Sequence, residues 1–330
     1  MERLAQQALP LARLTRVSTA FGVVGNVWFV ILWSRAMEGG EGASGPLHSA
    51  PLAWLLLAGA LSGVALFAYG AALNDVLDLK RDRTLAPDRP LAAGKVTRDA
   101  GVAVVTGALL LAVLASSAFG TGAVILTCVV AGALLVFNIA GKYVPGFGLV
   151  LLGLIYAGHM LAPNAGLRFL WPVWVVMTHA LGVACAAHVL ARKVPRLTRR
   201  GWAAGITGWA AWSVVLPWIG AARTGDVEGV WGWAEGVPWS AALWIAGLGV
   251  GFVLVAWRKT RVLGAGVRSG EKVWRYGSLW LTLYAAGWLL ASGQLGGGVI
   301  LLALAAGGFV GMTLIREAYS LVDAPIGYRR

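Results

Sequence analysis

The sequence predicts an all-α protein that crosses a lipid bilayer through nine to ten helices, with both termini on the cytoplasmic side. Three observations carry this expectation. Of 330 residues, 58% are hydrophobic and 12% charged, with a mean hydropathy of +0.75, which is more apolar surface than a water-soluble domain can hide. The apolar residues gather into ten runs, most of them long enough to cross a hydrocarbon core as helices. The cations fall almost entirely in alternate connections between those runs.

The runs lie at about Val17–Trp33, Leu52–Leu73, Gly101–Phe119, Gly122–Ala140 and Phe147–Leu161, then Trp171–Ala191, Trp202–Ala222, Trp239–Trp257, Gly277–Ala291 and Gly296–Ile315. Phe147–Leu161 and Gly277–Ala291 are short for a crossing. The first run has no small-residue cleavage site after it and reads as a retained span. The whole chain, 1–330, is expected to be one transmembrane domain, with a core over about 16–292 and an additional span at 296–315. Glycine and alanine within the runs allow close helix packing.

With the N-terminus inside, the outer segments keep only Arg35, Arg168 and Arg223 of the 27 Lys and Arg. This asymmetry satisfies the positive-inside rule, and the expected location is a bacterial inner membrane. It also accounts for the net charge of +13 without nucleic acid as a partner. Cys128 and Cys185 lie inside apolar runs and offer no disulfide framework. Of the outer connections, Met37–Ser49 is rich in Gly and Ser, and Asp226–Trp239 carries Asp226, Glu228 and Glu235. The 17 tryptophans read as an interfacial belt, with Trp231 and Trp233 as weak candidates for lining an acceptor site.

The chemistry concentrates where the second run ends, in Leu73-Asn74-Asp75-Val76-Leu77-Asp78-Leu79-Lys80-Arg81-Asp82-Arg83. Offsets of three and four place Asp75, Asp78 and Asp82 on one helical face, with Asn74 at its edge. Three stacked carboxylates repel, and a helix C-terminus disfavours anions. A divalent cation among them, or a cation carrying a diphosphate, relieves both penalties, and hard oxygen ligands suit Mg²⁺. The competing reading is an ordinary charged loop neutralised by Lys80, Arg81 and Arg83.

The stretch continues as Asp88-Arg89-Pro90-Leu91-Ala92-Ala93-Gly94-Lys95. N-D-x-x-D-x-x-x-D followed by D-R-P-L-x-x-G resembles the first signature of the UbiA superfamily of intramembrane prenyltransferases. The likeness runs loosely from Arg16 to Gly201. It implies a helical bundle of about nine spans, Mg²⁺ as cofactor, an isoprenyl diphosphate as prenyl donor and a lipophilic, often aromatic, acceptor. It further implies that Asn74, Asp75, Asp78 and Asp82 hold metal and diphosphate, with Arg81, Arg89 and Lys95 as phosphate-facing cations. Breaking an allylic C–O bond creates a carbocation and a diphosphate, so cations must meet the leaving group and apolar walls must exclude water. Acids at a membrane-embedded cavity suit that task.

Asn138 and Lys142 stand where the family carries Y-x-x-x-K, so the lysine is kept and the tyrosine replaced. A topogenic lysine is an equal reading of Lys142. Asn26 within the first span is a cavity contact or interhelical glue. His159, His179 and His188 are expected to pack. The second acidic motif of the family is missing: no Asp or Glu occurs between Asp99 and Asp226. In its place stands His188-Val189-Leu190-Ala191-Arg192-Lys193-Val194-Pro195-Arg196. Either Arg192, Lys193 and Arg196 grip the diphosphate directly, or they form a positive-inside loop over a degenerate site. The Gly141-Lys142…Pro145 turn and this loop are most similar to the EboC-like branch of the superfamily. Two functions remain open: Mg²⁺-assisted prenyl transfer, or a catalytically silent membrane protein that binds or helps move a lipid or diphosphate. The D-G-x-x-A-R pattern of CDP-alcohol phosphotransferases is absent, and no ring of charges suggests a channel.

Overall fold

The computed structural model describes residues 2–37, 45–224, 232–234 and 236–323. Among these every regular element is helical: α1 (Glu2–Thr15), α2 (Phe21–Met37), α3 (Pro46–Ser49), α4 (Leu52–Leu77), α5 (Leu79–Leu85), α6 (Arg98–Ser116) and α7 (Thr121–Ile139). These are followed by α8 (Pro145–Met160), α9 (Trp171–Leu190), α10 (Arg199–Thr224), α11 (Ser240–Leu263), α12 (Val267–Ala291) and α13 (Leu295–Asp323). Each of the ten apolar runs has become a helix.

Six of them (α4, α6, α7, α9, α11 and α13) are both long and apolar enough to cross a membrane. The apolar helices α2 and α8 are shorter, at 17 and 16 residues, about 25 Å each at 1.5 Å rise per residue. The remaining two, α10 and α12, have 26 and 25 residues and begin with charged turns. This corrects the expected shortness of the Gly277 run. Arg268, Glu271, Lys272 and Arg275 extend its helix by three turns that an apolar count ignores.

Local signals explain the breaks. Thr97 caps α6, its Oγ1 accepting from Ala100 N at 3.2 Å. Gly120, at φ +96°, turns the chain between α6 and α7 in a conformation that only glycine adopts freely. Pro145 opens α8 at a position where its missing N–H is not needed. The first run starts later than expected because Arg16 takes φ 50° and Val17–Thr19 form a 3₁₀ turn, so α2 begins at Phe21.

The centre of the bundle is α2, buried along nearly its whole length and packed against α4, α8, α12 and α13. Its approach to α12 is close. A Cβ on Gly22 would overlap the backbone of Ser278, and one on Gly25 would meet Thr282. Two hydrogen bonds lock that seam, from Ser278 Oγ to Thr19 O at 2.7 Å and from Thr282 Oγ1 to Phe21 O at 3.3 Å. Several tryptophans depart from the expected belt. Trp33 and Trp288 are buried, with Phe169 stacked on Trp33 at 5.0 Å and meeting Trp288 edge-on at 5.2 Å. Trp233 stacks on Trp239 at 4.2 Å. Trp231, Asp226, Glu228, Glu235 and most of the Met37–Ser49 connection lie outside the described residues.

Candidate functional site

Asn74 and Asp75 end α4, and Asp78 is the hinge residue between α4 and α5. The hinge barely interrupts the helical repeat: Asp78 N donates to Asn74 O at 2.9 Å, and Asp82 N to Asp78 O at 2.8 Å. The one-face stacking expected from the spacing therefore survives into α5. All three carboxylates are turned inward, with Asp75, Asp78 and Asp82 exposing only 2%, 7% and 5% of their surface. That burial is tolerable only with compensating charge.

The compensation comes from three separate segments. Arg16, in the turn before α2, donates through Nη2 to Asp75 Oδ1 at 2.8 Å. Arg89, in the loop after α5, spans two acids through Nη1, reaching Asp82 Oδ2 at 2.6 Å and Asp75 Oδ1 at 3.2 Å. Lys142, in the α7–α8 turn, pairs with Asp78 Oδ1 at 2.7 Å and donates to Asn74 Oδ1 at 3.4 Å. Tyr143 donates its phenolic O–H to Asp78 Oδ1 at 3.1 Å. The same ring lies under two cations, 5.5 Å from Arg81 and 5.3 Å from Lys142. Burial raises the pKa of Asp82; Arg89 opposes the rise, and Asp75 and Asp78 add to it.

The α9–α10 loop reaches the same place. Arg81 donates to Val194 O at 3.3 Å. Lys193 keeps solvent-exposed surface, yet desolvation lowers its pKa, followed by the positive charges of Arg16 and Arg89; Glu271 pulls the other way. Of the three basic loop residues singled out in the sequence, Lys193 thus belongs electrostatically to the cluster. Arg192 and Arg196 are exposed and make no ion pair among the described residues, and the same holds for Lys95.

Two asparagines stand apart. Asn138 is buried and donates to Leu134 O at 2.9 Å and Gly70 O at 3.5 Å, so it joins α7 to α4 instead of facing the acids. Asn26 is fully buried in α2, and neither side-chain atom has a hydrogen-bond partner among the described residues. His179 packs as expected, its Nε2 3.0 Å from Gly277 O. His188 Nε2 lies 3.0 Å from Pro195 O. His159 is buried, and neither ring nitrogen has a hydrogen-bond partner among the described residues.

Sequence reasoning missed Arg16 and Tyr143 as site residues. Arg16 carries no local signal, being one cation among many before the first span. Tyr143 had one: it follows Lys142 directly, in a chain whose expected tyrosine is replaced by Asn138.

The donor set suits a hard divalent cation. Oδ2 of Asp75, Oδ2 of Asp78 and Oδ1 of Asp82 have no hydrogen-bond or ion-pair partner among the described residues. No three Asp, Glu, His or Cys side chains among the described residues form a complete protein cage for a metal. Mg²⁺ does not require one, since it keeps waters and bridges one or two carboxylates to substrate phosphates.

The model of the UbiA prenyltransferase family matches residues 27–195, from α2 through the basic loop, and so covers half of the chain. The chain belongs to the UbiA prenyltransferase family. The match reaches the family and not a branch within it. This UbiA family member also shares its fold with a solved structure from work on digeranylgeranylglyceryl phosphate synthase in membranes. The two are 16% identical, with a TM-score of 0.53 over 88% of this chain and 99% of that one. A UbiA homologue from Archaeoglobus fulgidus, bound to GPP and Mg²⁺, is 13% identical over 92% of this chain and 99% of its own, with a TM-score of 0.42. No curated protein matches the sequence.

Proposed function

We propose that this integral membrane protein transfers the prenyl group of an isoprenyl diphosphate, with Mg²⁺, to a lipophilic acceptor, with aromatic acceptors among the candidates. The observation that carries the reading is the meeting of three buried carboxylates with Arg16, Arg89, Lys142 and Tyr143 at one end of the bundle. A plain charged loop has no reason to turn its acids inward. Asp75 and Asp78, with Asn74 and Asp82 beside them, would hold the metal, which when bound would supply positive charge against the departing diphosphate. Arg89, Lys142 and Lys193 are the cations near enough to meet phosphate oxygens as the C–O bond breaks. Arg16 and Arg89 now bond to Asp75, and those contacts must loosen when a diphosphate competes for the same guanidinium groups. Apolar helix walls keep water from the allylic cation.

The acid end of the bundle is assigned to the cytoplasmic side of a bacterial inner membrane, with both termini there. The support is the charge asymmetry that leaves Arg35, Arg168 and Arg223 at the other end.

A second reading, binding of a lipid or diphosphate without turnover, has its own support in the absence of any acid between Asp99 and Asp226. The deciding experiment is Mg²⁺-dependent release of diphosphate from farnesyl or geranylgeranyl diphosphate by the purified protein, beside Asp75→Ala and Asp78→Ala. Loss of release in both variants is expected. Equal release in all three proteins removes the enzyme reading, and tight diphosphate binding without release leaves the silent binder.

A further inference from the structure

At the end of the bundle away from the acids lies a cavity of about 230 Å³. Leu32, Leu52, Leu289 and Gly297 wall it, and Arg35 and Gln294 supply its polar groups. Leu52 opens α4 and Asp75 lies near its end, about 35 Å apart at 1.5 Å rise per residue. That separation exceeds the roughly 30 Å hydrocarbon thickness, so the cavity cannot share a headgroup with the acid cluster.

Arg35 is positioned and half-buried. Its Nη1 donates to Leu47 O at 3.1 Å and to Ala50 O at 2.7 Å, which ties the guanidinium to the turn between α3 and α4. An arginine merely snorkelling to water has no need of such anchoring. The two bonds occupy Nη1 and leave the Nε–Nη2 edge without an acceptor among the described residues, where no carboxylate pairs with Arg35. That edge presents two parallel N–H donors, the fork that grips phosphate oxygens bidentately. Gln294 spends its amide N–H on Met37 Sδ at 3.5 Å, a weak acceptor. The volume equals roughly seven or eight waters at about 30 Å³ each, enough for a phosphate and its glycerol oxygens.

We propose that this cavity binds the anionic headgroup of a phospholipid from the leaflet at that end. The phosphate meets the Nε–Nη2 edge of Arg35, and the upper acyl chain runs along Leu32 and Leu52. The site is independent of prenyl transfer, and its test requires no turnover.

The full-length protein, purified in detergent, is titrated with phosphatidylglycerol and with phosphatidylcholine of the same acyl chains and read by native mass spectrometry. The wild type should hold one phosphatidylglycerol about tenfold more tightly than phosphatidylcholine, whose choline cation beside Arg35 offsets the attraction of the phosphate that both lipids carry. Arg35→Gln should abolish that preference. Ala36→Phe fills the cavity from an exposed position on its wall and should weaken phosphatidylglycerol binding by a similar factor, with an unchanged melting temperature in phosphatidylcholine. Equal affinity for both lipids in the wild type overturns the proposal, as does a preference that survives Ala36→Phe, the arm that still decides if Arg35→Gln fails to fold. Glu38 and Glu41 follow Arg35 in the sequence, outside the described residues. Should the wild type show no preference and Glu38→Gln with Glu41→Gln create one, an internal carboxylate fills the lipid's place and the proposal falls.

Discussion

Replacing Arg89 with Gln tests whether the acid cluster is held together by its own cations. Among the described residues Arg89 supplies the only ion-pair or hydrogen-bond partner of the Asp82 side chain, whereas Asp75 keeps Arg16 and Asn74 after the change. Breaking a buried ion pair costs about 3–5 kcal/mol. Arg89 is 34% exposed, so solvent screening reduces that to about 2 kcal/mol. A protein of 330 residues then loses about 3 °C of apparent melting temperature at pH 7. The pH dependence has a definite sign. The folded pKa of Asp82 is already above 3.8, first through burial, and Arg89 is what lowers it. Without Arg89 it rises further. Between 3.8 and that raised value the folded state binds more protons than the unfolded one, so stability falls as pH rises through the window. The Arg89→Gln deficit is therefore full at neutral pH and shrinks on acidification, as Asp82 becomes neutral. Melting curves in one detergent from pH 7 down to pH 4.5 measure it. A deficit independent of pH, or none at pH 7, refutes the argument that an unpaired buried carboxylate is the cause.

Tyr143→Phe removes the hydrogen bond to Asp78 but keeps the ring beneath Arg81 and Lys142; diphosphate release should fall about ten- to hundredfold, as for one hydrogen bond to a charged group, while Tyr143→Leu falls further. Unchanged release in both variants would leave the tyrosine a bystander. Lys193→Met should weaken binding of an isoprenyl diphosphate about tenfold, and Arg192→Ala or Arg196→Ala by less than twofold; titration calorimetry separates them, and equal effects in all three would make the loop a diffuse positive surface. Since Lys193 is held below its usual pKa of 10.5 by desolvation, Arg16 and Arg89, a bound diphosphate pulls that pKa back up. Binding at alkaline pH should then take up protons, and affinity should decline as pH rises through the lowered pKa; buffer-independent binding heats would contradict this. Gly22→Ala places a Cβ into the Ser278 backbone and should destabilise by about 3 kcal/mol or more, seen as loss of monodisperse protein after purification. A normal melting temperature would mean that the α2–α12 seam is looser than described.

Much of this protein was legible in one dimension. The ten apolar runs became ten helices because hydrocarbon thickness and internal backbone hydrogen bonding leave a 20-residue apolar stretch no other form. The stacking of Asp75, Asp78 and Asp82 is equally local, a consequence of 3.6 residues per turn carried across the Asp78 hinge. The identity of their partners was not local. Arg16 meets Asp75 across 59 residues, and Tyr143 meets Asp78 across 65, because α2 and the α7–α8 turn are packed beside the end of α4. Lysine and arginine abound on that side of the chain, so composition could not separate Arg89, Lys142 and Lys193 from Lys95, Arg192 and Arg196. Helical periodicity assigns a side chain to a face; only the packing of one helix against another decides which charges that face will meet.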